Sequence, residues 1–341
     1  MVVNDGTEII VNRCEIKGNK NHETIGAIIK KADALIKDSK IHNHLMGGVL
    51  IWGCANHNIK IMNSKILFNG KCGIHCVGED GSPIIESNKI ENNNGAGVKI
   101  GIANKARVVR NEIKLNQQGI EVISGDPFIF HNKIDKNYSD GILCKCHEEL
   151  RSDGRIKSND ISGNKENGIH CSGYKNYCKI EQNTFIGYNK KAGVKADNGA
   201  QIVVYKNNIC KNLAQGVLLV ETSSGYIEKN NINENIKANI AFGGNNSVNT
   251  FIVDNKIYGG RCEGIFVIEG GEGWIIRNSI YENNDGIVCI TSIPEISKNS
   301  ITKNKSNGKL TKNEFIIIFN YFKRDHDFEG FKTQNHKQSD H

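Results

Sequence analysis

Apolar residues along this chain fall in very short alternating runs, and nearly the same run returns every two dozen residues. An apolar anchor after Asn-x stands at Ile66, Ile90, Ile113, Ile134, Ile161, Phe185, Ile209, Ile232, Ile257, Ile280 and Ile301, with less regular copies at Ile16 and Ile41. The regular anchors lie 21 to 27 residues apart. Two residues before them stand Asn88, Asn111, Asn132, Asn159, Asn183, Asn207, Asn230, Asn255, Asn278 and Asn299. An apolar residue precedes that asparagine by three positions, as at Ile85, Ile129, Ile180, Ile227 and Ile275. A second asparagine follows the anchor by three, at Asn69, Asn93, Asn116, Asn137, Asn164, Asn212, Asn235, Asn283 and Asn304. Glycine and an alternating apolar pair close the unit, for instance GVKI from Gly97, GVLL from Gly216 and GIFV from Gly264.

Each unit therefore predicts three strands with period-2 alternation, separated by corners that contain Asn or Gly; helical spacing is absent over any useful length. Strands of three or four residues bury too little to stand alone. Stacked as coils about 4.8 Å apart, they share backbone hydrogen bonds in parallel sheets, and their inward residues form one continuous core. A corner asparagine turned inward has donors and an acceptor for the backbone of the corner and of neighbouring coils. Pro83, Pro127 and Pro294, the only prolines, share one column two residues before the third-strand apolar position, as a fixed corner demands. The expected fold is all-β: a single-stranded parallel β-helix of about thirteen coils, roughly 24 residues each, right-handed by the rule for parallel crossovers.

Residues 1–322 are expected to form this solenoid. The pattern starts almost at Met1, with Val11-x-x-Cys14-x-Ile16, so the N-terminal cap is expected to be imperfect or missing. LTKNEF (Leu310 to Phe315) restarts the unit early, and the apolar IIIFNYF that follows makes 310–322 a closing segment. The polar residues 323–341 are expected to be disordered.

Composition narrows the setting. There are 36 glycines and 7% aromatics in 341 residues, which suits recurrent turns and rationed bulk. No apolar run approaches the roughly 20 residues of a membrane span, and MVVNDGTEII lacks the layout of a secretory signal. Eleven cysteines, an odd number without framework spacing, favour a reducing, intracellular place, cytoplasm or nucleus. Cys76, Cys144, Cys171 and Cys289 occupy the second apolar position after Gly, so they are expected inside as small hydrophobes. His75 and His170 then point outward, and neither a metal site nor a cofactor is expected. The net charge of +7 comes from lysines spread around the corners, which argues against a nucleic-acid groove.

The coil unit resembles the CASH and NosD-type right-handed parallel β-helix repeats over nearly the whole chain. GGEGWIIRNSIYENNDGIVC (Gly270 to Cys289) and NNNGAGVKI (Asn92 to Ile100) look most like the β-helix region of the F-box-only proteins, substrate receptors of ubiquitin ligases. That resemblance implies recognition of a protein partner, a ligase subunit or a substrate, in protein ubiquitination. No F-box helices precede the coils, however, and no zinc-finger-like module follows them.

Catalytic signatures of other β-helices are absent. RIK at Arg155 to Lys157 lacks the companion N-T-D, D-D and G-H-G motifs of galacturonan hydrolases. Adjacent acidic pairs occur only at Glu79-Asp80 and Glu148-Glu149, and the Tyr-Gly-x-Asp-Pro-His signature of alginate epimerases is missing. No catalytic residue is assigned, and a non-enzymatic scaffold is expected. The alternative is a carbohydrate-active β-helix (lyase, hydrolase or epimerase) or a sugar-binding module with a glycan ligand. Outward positions of the Gly-Φ-x-Φ strand are polar mid-chain (His75, Lys99, Glu121, Lys145, His170, Lys195) and apolar towards the end. Leu218, Val220, Phe266, Ile268, Val288 and Ile290 are therefore the candidate partner-binding residues, unless Phe315 to Phe322 covers them.

Overall fold

Three parallel sheets run the length of the molecule, and successive strands of the chain visit them in turn. The computed structural model describes residues 1–19, 21–53, 55–147, 150–244, 250–306 and 316–319. The first sheet has 14 strands, and the second and third have 13 each. Among the described residues there is no helix. In every coil one short strand enters each sheet, as in Ile74–Val77, Ile84–Glu86 and Lys89–Glu91. Among the described residues the one antiparallel pairing joins residues 316–319 edge-on to Asp285–Ile290. That strand thus extends the first sheet by its edge. Residues 310–315 and 320–341 lie outside the described residues.

Register follows the inward isoleucines. Ile66, Ile90, Ile113, Ile134 and Ile161 are neighbours in the third sheet and have no exposed surface. The next position belongs to Ile186 rather than to Phe185: Ile161 pairs Ile186, and Ile186 pairs Ile209. Thr184 adds one residue between Asn183 and the strand, so Phe185 turns half outward beside Asp160. Asn189, three residues past Ile186, then enters the second asparagine column.

The corners explain the asparagines. Immediately before each asparagine of the first column the chain takes one left-handed residue, such as Ser87 (φ 55°), Arg110 (54°), His131 (55°) and Lys229 (55°). For a non-glycine residue this costs about 1–2 kcal/mol, and the asparagine that follows offsets it. Asn88 donates its backbone N–H and its side-chain amide to Asn111 Oδ1, at 2.9 and 3.1 Å. The same amide reaches back to Ile61 O at 2.8 Å. This pattern repeats through Asn111, Asn132, Asn159, Asn183, Asn207, Asn230, Asn255 and Asn278 to Asn299. All are buried, so each satisfies corner groups that water does not reach. Serines carry the column towards the N-terminus: Ser64 N–H donates to Asn88 Oδ1, Ser39 N–H to Ser64 Oγ and Cys14 N–H to Ser39 Oγ.

The second column has one exchange of roles. Where other coils carry an asparagine, this coil has Gly260, and where other coils carry glycine before the first-sheet strand, the previous coil has Asn239. The Asn239 side chain fills the vacated slot: it accepts from Asn235 Nδ2 at 2.8 Å and donates to Asn283 Oδ1 at 2.9 Å. A Cβ on Gly260 would stand 2.8 Å from Asn239 Nδ2. The ladder stays continuous although its residue comes from another strand.

Candidate functional site

The outer face of the first sheet changes character along the rod. In register down its central column lie Leu50, His75, Lys99, Glu121, Leu143, His170, Lys195, Leu218, Ala241, Phe266 and Val288. The six apolar residues singled out in the sequence all sit on this face. Leu218, Val220, Phe266, Ile268 and Ile290 are half-buried there, and Val288 is buried.

Mid-rod, the same face holds a hollow of about 680 Å³. Its centre is His170, the outward residue of the strand Ile169–Ser172. Asp140 comes from the corner before Gly141, one coil back, and Asp197 ends the strand Val194–Asp197, one coil on. Stacking brings the three together. His170 Nε2 donates to Asp197 Oδ2 at 2.9 Å, and Nδ1 lies 3.5 Å from Asp140 Oδ2. Asp140 is braced by Asn167, whose backbone N–H and side-chain amide both reach Oδ1 at 2.9 Å. Lys195 Nζ stands 2.6 Å from Asp197 Oδ2. Both aspartates are buried.

Burial works against a charge on His170, but the hydrogen bonds and fields of Asp140 and Asp197 outweigh it and push the imidazole up to about 9. For Asp197, burial again opposes ionisation. Hydrogen bonds from His170, Lys195 and Ser172 overcome it and hold the carboxyl well below the usual range. Lys145, Lys190, Lys191, Lys195 and Lys237 line the hollow with His170, against Asp140 and Glu166 of the lining and Asp197, which is bonded to His170 and Lys195. Six positive groups facing three carboxylates make a concave, cationic surface that fits an anionic ligand. From the sequence His170, Lys145 and Lys195 were visible only as a polar outer face; Asp140 and Asp197 were not singled out. The signal was the position before Gly and the position after the second apolar residue, compared across three coils instead of one.

Cys76, Cys144, Cys171 and Cys289 point inward, while Cys14 is exposed, and Cys178 joins two of the inward ones. The sulfurs of Cys144, Cys171 and Cys178 lie within 4.8 Å of one another, fully buried. Cys178 Sγ donates to Asn176 Oδ1 at 3.0 Å. Hydrogen bonding to Cys144 and Cys171, then burial, pushes the Cys178 thiol well up. These are soft ligands of metal-binding type, sealed in the core away from the hollow. The described cysteines are all free thiols.

Comparison with known proteins places these features on a family. The model of the right-handed β-helix region matches residues 1–150, 128–279 and 192–325. No curated protein sequence matches the chain. Among solved structures, the periplasmic alginate epimerase AlgG superposes with a TM-score of 0.57 at 13% identity, covering 88% of this chain and 76% of that one. A double mutant of AlgG gives 0.59 at 15% identity, with the same coverage. Likeness at such identity speaks for the fold.

Four expectations change with these findings. The likeness to F-box-only proteins has no support, because the family match is to the β-helix region in general. The reading as a non-enzymatic scaffold for a protein partner in ubiquitination is overturned, since the solved neighbours are carbohydrate-active enzymes. The expectation of no enzyme goes with it. So does the intracellular, cytoplasmic setting, given a periplasmic neighbour; no helix here is long and apolar enough to cross a membrane. The misdirection has a physical cause: the N-x-Φ and Gly-Φ-x-Φ units are what corners and core of such a coil require, whatever the protein does. With the family's description matched across most of its length, the chain belongs to the right-handed β-helix family.

Proposed function

We propose that the protein is a carbohydrate-active β-helix that binds an acidic polysaccharide, a polyuronate, across the hollow of the first sheet and moves a proton there through His170. The observation that carries this reading is the imidazole held between Asp140 and Asp197 inside a lysine-lined groove. Lysines beside a bound uronate neutralise its carboxylate, which stabilises negative charge developing on the adjacent carbon when that carbon loses its proton. His170 takes that proton in its neutral form and returns it as the imidazolium, the form that prevails at neutral pH. Its Nδ1 contact to Asp140 is the longer of the two, so that edge is the one to turn towards substrate. Asp140 and Asp197 are both buried and engaged with His170. They do not form the open carboxyl pair that flanks a bond in glycoside hydrolysis. Alginate epimerases of the same fold support the substrate class.

The test is proton exchange. Polymannuronate and polygalacturonate are incubated with the protein in D2O, and deuterium at ring carbons is read by NMR. The expected result is incorporation with at least one polymer, lowered about 10²-fold or more in His170→Gln while binding persists. Absence of both binding and exchange with every polyuronate would reject the reading.

A further inference from the structure

A second outward column, on the second sheet, is built differently. In register it holds Arg107, Phe128, Arg155, Lys179, Val203, Tyr226, Phe251, Trp274 and Glu295. Three aromatic residues in succession is notable in a chain with 7% aromatics and two tryptophans. Phe251 and Trp274 stack with centroids 4.5 Å apart and planes 9° from parallel, and Tyr226 continues the run at 5.9 Å. Trp274 Nε1 donates to Glu295 Oε2 at 2.8 Å, which fixes the indole. Cross-strand ring pairs stabilise a sheet on their own account; their surroundings suggest more.

The stack runs between two hollows, one of about 560 Å³ and the other of about 420 Å³. The first is lined by Arg151, Arg155, Tyr177, Lys179 and Gln201 as well as Tyr226 and Phe251, and the second by Trp274. The Arg151 guanidinium lies 4.6 Å over the Tyr177 ring. Arg107, Arg155 and Lys179 thus cluster at one end of the column, with Phe128 between the two guanidiniums and Glu181 against Arg155, and the three rings follow at the rung spacing of about 4.8 Å. Pyranose rings strung along an extended polymer repeat on a similar scale. Their C–H faces suit aromatic rings, and their carboxylates suit Arg and Lys.

We infer that this outer face of the second sheet is a lengthwise docking platform for an acidic polysaccharide. Sugar faces lie on Tyr226, Phe251 and Trp274, and carboxylates on Arg155 and Lys179. The inference rests on the glycan reading above, and it deepens that reading by adding a binding surface remote from His170. It would hold a long polymer on the rod while another stretch occupies the first-sheet hollow.

Trp52→Phe leaves Trp274 as the only tryptophan and so as the reporter. This variant is titrated with polygalacturonate oligomers while indole emission is followed. The expected result is a saturable emission change that salt weakens, retained in His170→Gln and at least about ten-fold weaker in affinity in Arg155→Ala/Lys179→Ala. No emission change at saturating oligomer overturns the platform, even where deuterium exchange shows the first-sheet site to be active. A change that is indifferent to Arg155→Ala/Lys179→Ala also overturns it. Absence of exchange in the wild-type protein with the emission change intact would instead count against the His170 site alone.

Discussion

Asn239→Gly is the sharpest test of how these coils are held together. In the native protein the Asn239 side chain bridges Asn235 Nδ2 (2.8 Å) and Asn283 Oδ1 (2.9 Å), and it also donates to Tyr258 O at 3.2 Å. Removing it leaves one N–H of the buried Asn235 amide without its acceptor, the amide keeping only Ile209 O at 3.4 Å, takes a donor from Asn283, and opens a void. At about 1–3 kcal/mol for each buried group left unsatisfied, the single change should cost about 2–5 kcal/mol. Gly260→Asn should also destabilise, by about 1–3 kcal/mol, because its Cβ meets Asn239 Nδ2 at 2.8 Å and Asn283 Oδ1 at 3.1 Å. The double variant restores the arrangement of the regular coils, with glycine before the strand and asparagine in the ladder. It should lie within about 1 kcal/mol of wild type, a coupling of about 2–8 kcal/mol that reaches from the upper part of the roughly 0.5–3 kcal/mol usual for touching residues to well above it. Urea unfolding followed by circular dichroism, comparing midpoints at unchanged slope, measures all four corners of the cycle. A double variant as unstable as the sum of the singles would refute the exchange.

Three further outcomes follow from the same geometry. Asn230→Leu should destabilise by about 3 kcal/mol or more, since Asn207 N–H, the Asn207 amide and Val204 O all lose a partner; Lys89→Ala, whose buried partner Glu91 keeps Lys114 at 3.1 Å, should stay within about 0.5 kcal/mol in the same urea titration. Gly154→Ala should be neutral or stabilising by up to about 1 kcal/mol, because its Cβ meets Cys178 Sγ at 3.5 Å and Cys144 Sγ and Pro127 Cδ at 3.9 Å, all ordinary contacts; Gly216→Ala should destabilise, with Asn239 O at 2.5 Å, and paired melting curves separate the two. The His170 imidazole is pushed up to about 9 from an ordinary 6.5, so its stabilisation is complete below pH 6.5 and is lost as pH rises through 9. Linkage puts that loss at about 3 kcal/mol, read as a falling Tm between pH 6.5 and 9.5; Asp197→Asn should flatten the fall, and an unchanged profile would show that the pair is not formed.

The repeat, the inward isoleucines and the asparagine columns were written in the sequence, and the reason is geometric. In a solenoid each rung stacks on the last, so residues at one place in the unit share one address in space. Ile85, Asn88 and Ile90 can be assigned without coordinates because the backbone of every coil imposes the same demand at those addresses. Where one coil departs from the unit, offsets in the sequence no longer give position. Thr184 moves the core residue from Phe185 to Ile186, and Asn239 reaches into the slot that Gly260 leaves. The site is of the second kind. Asp140, His170 and Asp197 stand at three different places in three successive coils, and corners of variable length separate them. Only the stacked backbone, with the reach of each side chain, puts two carboxylates on one imidazole and lines up Tyr226, Phe251 and Trp274 as a continuous stack.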